Sequence, residues 1–415
     1  MDPKLQKEYD QFKYRVKLCI QRRMYNIDSP FLDLENAIDA NPLLSKTAID
    51  EILVEAVKEK IIDGALLNEV IEYNPNVFSL EQIQRMLERE WISITDLNVA
   101  QKFKDALVIS PIRQKLDETN YEIPNGVGRE ECTEVYFWGV PQSGKTCAMG
   151  AILSSVPGIA SMHIHPGVAY GYAHSLSSVF RKGQVGELPP GTAIDHYYAI
   201  HLDLTEKGNG ILHKVTLIDM AGELMCCMYK KNAAEVTSTK EDDMIDTMDS
   251  FLTPDVPIEQ RNRKMHFFVL EYDGHNKQYN GHTQREYLEG AADYLRNRKL
   301  FSAETDGIYL LVTKVDKCKN DDGLALKGEE LKEKLGQYLL DQYEDLYDIL
   351  RDICKTNEIN GGQLNVVPFS VGEVAFRKYC LFNNKHARDV VCTIIQRSTG
   401  YRPGLLHKIR KMLGL

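Results

Sequence analysis

The residues with the clearest chemical meaning form one short run, Gly139-Val140-Pro141-Gln142-Ser143-Gly144-Lys145-Thr146. Their types and spacing fit the pattern GxxxxGK[ST], in which successive backbone N–H groups and a lysine surround a phosphate. In that pattern Lys145 reaches the β- and γ-phosphates and the Thr146 hydroxyl ligates Mg²⁺. We therefore predict a nucleotide-binding loop made of Gly139, Gln142, Ser143, Gly144, Lys145, Thr146 and Cys147.

The sequence on either side of this loop supports the interpretation. An apolar run over 135–138 predicts a strand before it, and 147–154 predicts a helix after it. The N-terminal end of a helix attracts anions, because its backbone N–H groups and its dipole both favour negative charge. A chance Gly/Ser-rich turn is the alternative, and the strand-loop-helix context argues against it.

A second motif, Thr313-Lys314-Val315-Asp316, predicts which base is bound. It approximates [NT]KxD directly after a predicted strand. The Asp316 carboxylate can accept from both N1–H and N2–H₂ of guanine, whereas adenine offers no such pair of donors. The aliphatic part of Lys314 would lie along the base plane. The motif favours a guanine nucleotide, and an ATPase that carries Thr-Lys-Val-Asp is the alternative.

Two further positions complete the predicted base site. Ser370 and Val371 follow another predicted strand, where a Ser-Ala-Lys-like loop would contact the guanine O6. Here the loop reads Ser370-Val371-Gly372, which matches that pattern poorly.

Residues for the metal and the γ-phosphate are predicted from a third motif, Asp219-Met220-Ala221-Gly222. Asp219 can hold Mg²⁺ through a water, and the Gly222 N–H can meet the γ-phosphate. Thr192, in the loop Leu188-Pro-Pro-Gly-Thr192, is the candidate for a second threonine ligand of Mg²⁺, or else it caps a turn.

The order of these motifs resembles that of the translation-factor-related and Ras-like P-loop GTPases, over residues 130 to about 400. Leu-Pro-Pro-Gly-Thr192 and Asp219-x-Ala-Gly-Glu223 are similar to bacterial GTPases of double-GTPase conflict and signalling systems. The resemblance implies that the chain binds GTP and GDP with Mg²⁺ as cofactor. It also implies GTP hydrolysis that uses Lys145, Thr192, Gly222 and Glu223.

One departure from the Ras-like pattern bears on hydrolysis. Those enzymes carry a Gln after DxxG that orients the attacking water, and here the residue is Glu223. A carboxylate cannot donate a hydrogen bond to the water and lies unfavourably beside the charge of the γ-phosphate. We therefore expect slow hydrolysis that a partner stimulates, and a scaffold that holds nucleotide without hydrolysing it is the alternative.

The elements that position these motifs divide the chain in three. Residues 1–115 read as consecutive helices and predict a module that recruits a protein partner. Ser79-x-x-Gln82 predicts a capping box at the start of one helix. An Asn-Pro unit recurs after 33 residues, either as a structural repeat or as a coincidence within a helical bundle. Residues 116–130 read as a linker. Residues 131–415 alternate strands and helices and predict an α/β P-loop NTPase domain, with a three-layer architecture and one antiparallel hairpin.

Individual elements of the α/β domain follow from the pattern of apolar residues. We predict strands at 134–138, 196–204, 212–219, 266–271, 307–313 and 365–370, and helices at 284–299 and 327–349. Asn209-Gly210 would supply the positive φ angles of the hairpin turn. The segment 225–263 is interpreted as a nucleotide-sensing segment or an ordinary surface insertion. Residues 405–413 predict a basic amphipathic helix that docks on the domain or touches an anionic membrane.

Composition limits the remaining possibilities. The 415 residues carry a formal net charge of −10, which makes nucleic acid an improbable partner. The odd number of cysteines, 9, favours reduced thiols, and neither a leader peptide nor a membrane-spanning run is expected. These features predict a cytoplasmic location.

Overall fold

A computed structural model describes residues 3–22, 26–41, 44, 48–74, 77–92, 132–167, 169–189, 197–255, 257, 260–301, 303–320, 325–376 and 378–401. The chain forms two compact units, one built on the N-terminal helices and the other on a central β-sheet. Thr192, the predicted linker 116–130 and the predicted helix 405–413 lie outside the described residues. Among the described residues, none of the helices combines the length and apolar character needed to cross a membrane.

Strands and helices are numbered in chain order. The strands are β1 (Thr133–Trp138), β2 (Ala160–Ile164), β3 (Val185–Glu187), β4 (Tyr197–Glu206), β5 (Leu212–Met220), β6 (Arg263–Glu271), β7 (Gln278–Tyr279), β8 (His282–Thr283), β9 (Thr305–Thr313), β10 (Asn365–Pro368), β11 (Gly372–Ala375), β12 (Tyr379–Phe382) and β13 (Gly400–Tyr401). The helices are α1 (Pro3–Arg22), α2 (Ser29–Asp39), α3 (Ala48–Lys58), α4 (Gly64–Tyr73), α5 (Leu80–Glu88), α6 (Lys145–Ser155), α7 (Tyr170–Val179), α8 (Glu223–Asn232), α9 (Thr239–Leu252), α10 (Gln284–Asn297), α11 (Gly328–Gln342), α12 (Glu344–Thr356) and α13 (Lys385–Arg397).

The described residues up to position 92 are helical in every regular element, as predicted. Apolar residues at helical spacing form the interior of this region, and the ring of Phe31 packs edge-on against Phe12 at 5.2 Å and Phe78 at 5.5 Å. Ser79 and Gln82 form the predicted capping box at the start of α5, so two backbone N–H groups that the helix leaves unpaired are satisfied.

The central sheet has the order β10-β9-β6-β1-β5-β4-β2, with β13 paired to the start of β5. Neighbouring strands from β10 to β5 run parallel, and β4 is antiparallel to both β5 and β2. The predicted hairpin is therefore confirmed, but the prediction of its turn is corrected. Positive φ falls on Gly208 and Gly210, while Asn209 contributes side-chain hydrogen bonds to Glu206 and the Ile211 N–H.

Helices cover both faces of this sheet. Tyr136 and Trp138 on β1 lie in one core cluster with apolar residues of α8, α9, α10, α11 and α12. Phe137 lies between these two residues on β1 and faces the opposite side of the sheet, where its ring stacks on Phe267 of β6 with centroids 5.4 Å apart. Helices α6, α7 and α13 pack together on that side. This is the predicted three-layer α/β P-loop NTPase fold.

Three predictions about elements are corrected. The helix predicted at 327–349 is two helices, because the backbone leaves the helical region at Tyr343 (φ −141°). The strand predicted at 365–370 ends at Pro368. The interpretation of 225–263 as a surface insertion is wrong for its described residues, since α8 and α9 bury Met228 and Met248 completely in the core.

A pair of glycines tests how tightly the layer of α6 and α7 is packed. A Cβ at Gly150 on α6 would lie 2.5 Å from Phe180 Cε2 and 3.1 Å from the Leu176 carbonyl oxygen, whereas a Cβ at Gly336 on α11 has no atom within 4 Å. We expect Gly150→Ala to lower the free energy of unfolding by about 1–3 kcal/mol through overpacking. We expect Gly336→Ala to raise it by about 0.5–1 kcal/mol, since alanine is the better helix former. Urea titrations of both variants measure this, and equal effects would contradict the packing described.

Candidate functional site

The carboxyl ends of the five parallel strands meet at one edge of the sheet. The three predicted motifs lie where β1, β5 and β9 end, and Ser370 follows β10. In open α/β sheets this edge is where ligands bind. The topology therefore gathers side chains that are more than 200 residues apart in sequence, from Gly139 to Ser370.

The predicted phosphate loop connects β1 directly to α6. Gly144 has a φ of 98° and precedes the first residue of the helix, a conformation that strongly favours glycine. A Cβ at Gly139 would lie 2.5 Å from the Val269 carbonyl oxygen, so only glycine fits there without displacing β6. Ser143 is buried with its Oγ lacking a hydrogen-bond partner among the described residues. The loop thus has the tight, amide-rich path that a phosphate-binding loop requires.

Lys145 lies inside this loop with 6% of its surface exposed. Its Nζ donates to the carbonyl oxygens of Gly139 at 2.7 Å and Val140 at 3.0 Å. Burial lowers the pKa of Lys145 to about 8, against the opposing effect of the negative charges of Asp219 and Glu223. Cys147, on the next turn, has its pKa raised to about 11 by burial and is a neutral thiol at pH 7.

The Asp219–Gly222 motif lies directly against the phosphate loop. A Cβ on Gly222 would be 2.2 Å from the Pro141 nitrogen, so the two backbones are in contact and only a glycine can occupy this position. Asp219 is the penultimate residue of β5 and is fully buried, and Glu223 begins α8 half-buried. The predicted metal and hydrolysis residues that the structure describes are therefore adjacent to Lys145.

Sequence reasoning missed a residue that touches Asp219. Tyr172, on α7, donates its hydroxyl hydrogen to Asp219 Oδ2 at 2.7 Å. Its ring stacks on Tyr198 with centroids 4.1 Å apart, and Tyr198 is the register partner of Asp219 across β4 and β5. No local pattern marks Tyr172, since its role depends on how α7 packs beside the sheet.

The Thr-Lys-Val-Asp motif contacts the phosphate loop through its first two residues. Thr313 Oγ1 lies 2.6 Å from the Ser143 carbonyl oxygen and 3.1 Å from that of Leu270. Lys314 Nζ donates to the Gln142 carbonyl oxygen at 3.2 Å. Burial lowers the pKa of Lys314, and the nearby Glu271 carboxylate opposes that shift. These contacts fix the distance between the predicted phosphate and base sites.

Ser370 reaches the aspartate of the same motif. Its Oγ lies 2.7 Å from Asp316 Oδ1 and accepts the Gly372 N–H at 3.0 Å. Val371 is 9% exposed, and its carbonyl oxygen accepts the Asn383 N–H at 2.9 Å. Despite the poor motif match, the Ser370 hydroxyl thus holds the carboxylate that we predict to recognise guanine.

The donor set beside Lys145 fits Mg²⁺. Thr146 at the start of α6 and Asp219 at the end of β5 supply a hydroxyl and a carboxylate, and both side chains are almost fully buried. Mg²⁺ prefers oxygen ligands and usually takes only one or two from the protein, with the rest from phosphates and water. The described residues contain no cluster of three or more His, Cys, Asp or Glu side chains able to hold a metal.

Comparisons with known proteins give little beyond the fold. No protein-family model matches the sequence, and a search of curated proteins finds no match. Similar solved structures include the following two. One is a nucleolar GTP-binding protein 1 from Plasmodium falciparum, with 14% identity and a TM-score of 0.26, over 64% of this chain and 87% of that chain. The other is the signal recognition particle receptor SRb-GTP/SRX complex from Chaetomium thermophilum, with 15% identity and a TM-score of 0.25, over 62% and 88%. Scores of this size carry no argument about function.

The lowered pKa of Lys145 predicts how nucleotide binding depends on pH. Phosphate bound beside the ammonium would raise that pKa above its value of about 8 in the free protein, so binding takes up a proton at higher pH. We expect the affinity for GDP to be constant near pH 7 and to fall above pH 8, by at most about tenfold per pH unit. Fluorescent GDP titrations measure this. Lys145→Arg, which stays charged, should lack the fall. A flat wild-type profile up to pH 9 would contradict the burial of Lys145.

Proposed function

We propose that this chain is a GTP-binding switch protein that holds GTP or GDP with Mg²⁺ and hydrolyses GTP slowly. The observation that carries the proposal is the base end of the site. Asp316 is held by Ser370 at 2.7 Å, on a loop that Thr313 ties to the phosphate loop at 2.6 Å. A carboxylate that is fixed on a loop bonded to the phosphate loop suits the paired N1–H and N2–H₂ donors of guanine.

The phosphate end supports hydrolysis by water attack on the γ-phosphate. Lys145 and the amides of the loop would stabilise the charge that develops on the phosphate oxygens, and the Gly222 N–H would contact the γ-phosphate. When bound through Thr146, Asp219 and Thr192, Mg²⁺ would neutralise further charge on the β- and γ-phosphates. Glu223 accepts a hydrogen bond from water but donates none, so we propose slow turnover that a partner stimulates.

The rest of the proposal concerns partners. We propose that the helical region 1–115 recruits a protein effector or activator and that residues 405–413 form a peripheral helix. We also propose that this chain belongs to the same class as the GTPases of bacterial double-GTPase systems. The motif order and the position of Glu223 support the last of these proposals.

Base choice is tested by titrating the protein with fluorescent GTP and ATP. We expect GTP to bind more tightly, and Asp316→Ala to lose about tenfold or more in GTP affinity, since a carboxylate bonded to two donors of the base contributes more than about 1.4 kcal/mol. Asp348→Ala removes an exposed carboxylate of α12 that pairs with Arg351, and serves as the control. Equal affinity for ATP would support the ATPase alternative instead.

Hydrolysis is tested by single-turnover phosphate release from GTP with Mg²⁺. We expect Glu223→Gln to release phosphate roughly tenfold faster than the wild type, because an amide both accepts from and donates to the attacking water. Matched GTP affinity of the two proteins is the control. If neither protein releases phosphate above background, with or without cell lysate, the chain is a nucleotide-holding scaffold.

A further inference from the structure

We propose that Glu271 is a positioning residue that clamps the phosphate loop to the base-recognition loop and thereby sets the rate of nucleotide release. The inference rests on the proposed function, because it concerns the same site. Glu271 is the last residue of β6 and lies outside the three motifs. Among the hydrogen bonds and ion pairs described, none joins Glu271 to the Lys145 side chain or to Asp316.

Glu271 holds lysines from two different loops. Its carboxylate is 8% exposed and accepts from Lys314 Nζ at 2.7 Å, Lys317 Nζ at 3.0 Å and Lys277 Nζ at 3.4 Å. Burial alone would raise the pKa of Glu271, but these ammonium groups, Lys314 foremost, lower it to about 2. The carboxylate therefore stays charged at any pH at which the protein is used.

Two of the three lysines also hold the phosphate loop. Lys314 Nζ donates to the Gln142 carbonyl oxygen at 3.2 Å, and Lys277 Nζ donates to Gln142 Oε1 at 3.2 Å. Gln142 is thus bonded through its backbone and its side chain to cations that share one carboxylate. Lys317 has no such contact among the bonds described, although it pairs with the same carboxylate.

The conformations at this junction explain why a clamp is needed. Gln142 and Lys314 both have a left-handed backbone, with φ of 61° and 59°. For residues other than glycine this conformation is strained and persists only where surrounding contacts enforce it. The bonds from Lys314 and Lys277 to Gln142 and Glu271 are such contacts. Without them, both loops could relax away from each other.

The backbone of Glu271 is held in place by Gln284. Gln284, fully buried at the start of α10, accepts the Glu271 N–H at 3.1 Å and donates to its carbonyl oxygen at 3.3 Å. Gln284 also donates to the Tyr343 hydroxyl at 2.7 Å, and its own N–H donates to the Lys277 carbonyl oxygen at 2.9 Å. Gln284 therefore holds the backbones of both Glu271 and Lys277, the first through its side-chain amide and the second through its own N–H.

Simple electrostatics makes the opposite prediction, which allows a sharp test. A carboxylate repels the phosphates of a nucleotide, so Glu271→Gln should tighten binding if the residue acts only through its charge. If it acts as a clamp, the same substitution should accelerate release. Glu271 is only 8% exposed, so salt screens its charge weakly, and the direction of the change in release rate separates the two explanations at any ionic strength.

The experiment measures the dissociation rate of fluorescent GDP from the full chain at low and high salt. We expect Glu271→Gln to release GDP about tenfold faster at both, a change of about 1.4 kcal/mol in the barrier. Single-turnover hydrolysis of GTP already bound should change far less, because Glu271 acts on release. Slower release would overturn the proposal.

A matched pair separates positioning from a general loss of charge. Lys277→Gln and Lys317→Gln each remove one exposed positive charge from the same carboxylate, but only Lys277 contacts Gln142. We expect faster release from Lys277→Gln and release within about twofold of wild type from Lys317→Gln. Equal rates for the two variants would overturn the clamp while leaving the proposed function intact. A wild type that binds no nucleotide would overturn both, and one that prefers ADP would test the clamp on ADP release.

Discussion

The whole site depends on the parallel register of five strands. Because β10, β9, β6, β1 and β5 point the same way, every loop that leaves a carboxyl end reaches one edge. The approach is close enough that the Gly222 backbone touches Pro141 and the Gly139 backbone touches β6. At such contacts the backbone itself does the positioning, so a shift of one strand would separate the phosphate loop from the metal and base residues together.

What could be predicted from sequence is what neighbouring residues determine. The strand, turn and helix around Lys145 lie within a short stretch, and Gly144 must adopt a positive φ in any such loop. The hairpin and the capping box at Ser79 are equally local, and both were predicted correctly. The motifs therefore identified the loops of the candidate site before their positions in space were known.

Contacts between distant residues could not be predicted. Tyr172 bonds Asp219 only because α7 packs beside β4. Ser370 bonds Asp316 only because the loops after the neighbouring strands β10 and β9 lie side by side. The break at Tyr343 has a similar origin, since no glycine or proline marks it and its buried hydroxyl bonds Gln284. The clustering of lysines around Glu271 likewise requires the sheet to be assembled first. Each of these features depends on a polar contact between distant parts of the chain. The spacing of apolar residues along the sequence does not encode such contacts.

The order of the central sheet has a consequence for the behaviour of the protein in concentrated solution. Among the described residues, the sheet ends on β2 and β10, which are only five and four residues long. β10 closes with Pro368, which has no N–H to offer, and β2 exposes Ser161 and His163. Short edges with polar side chains or proline give an incoming strand few backbone partners. Edge-to-edge growth into aggregates is therefore disfavoured on both sides, although the sheet is open.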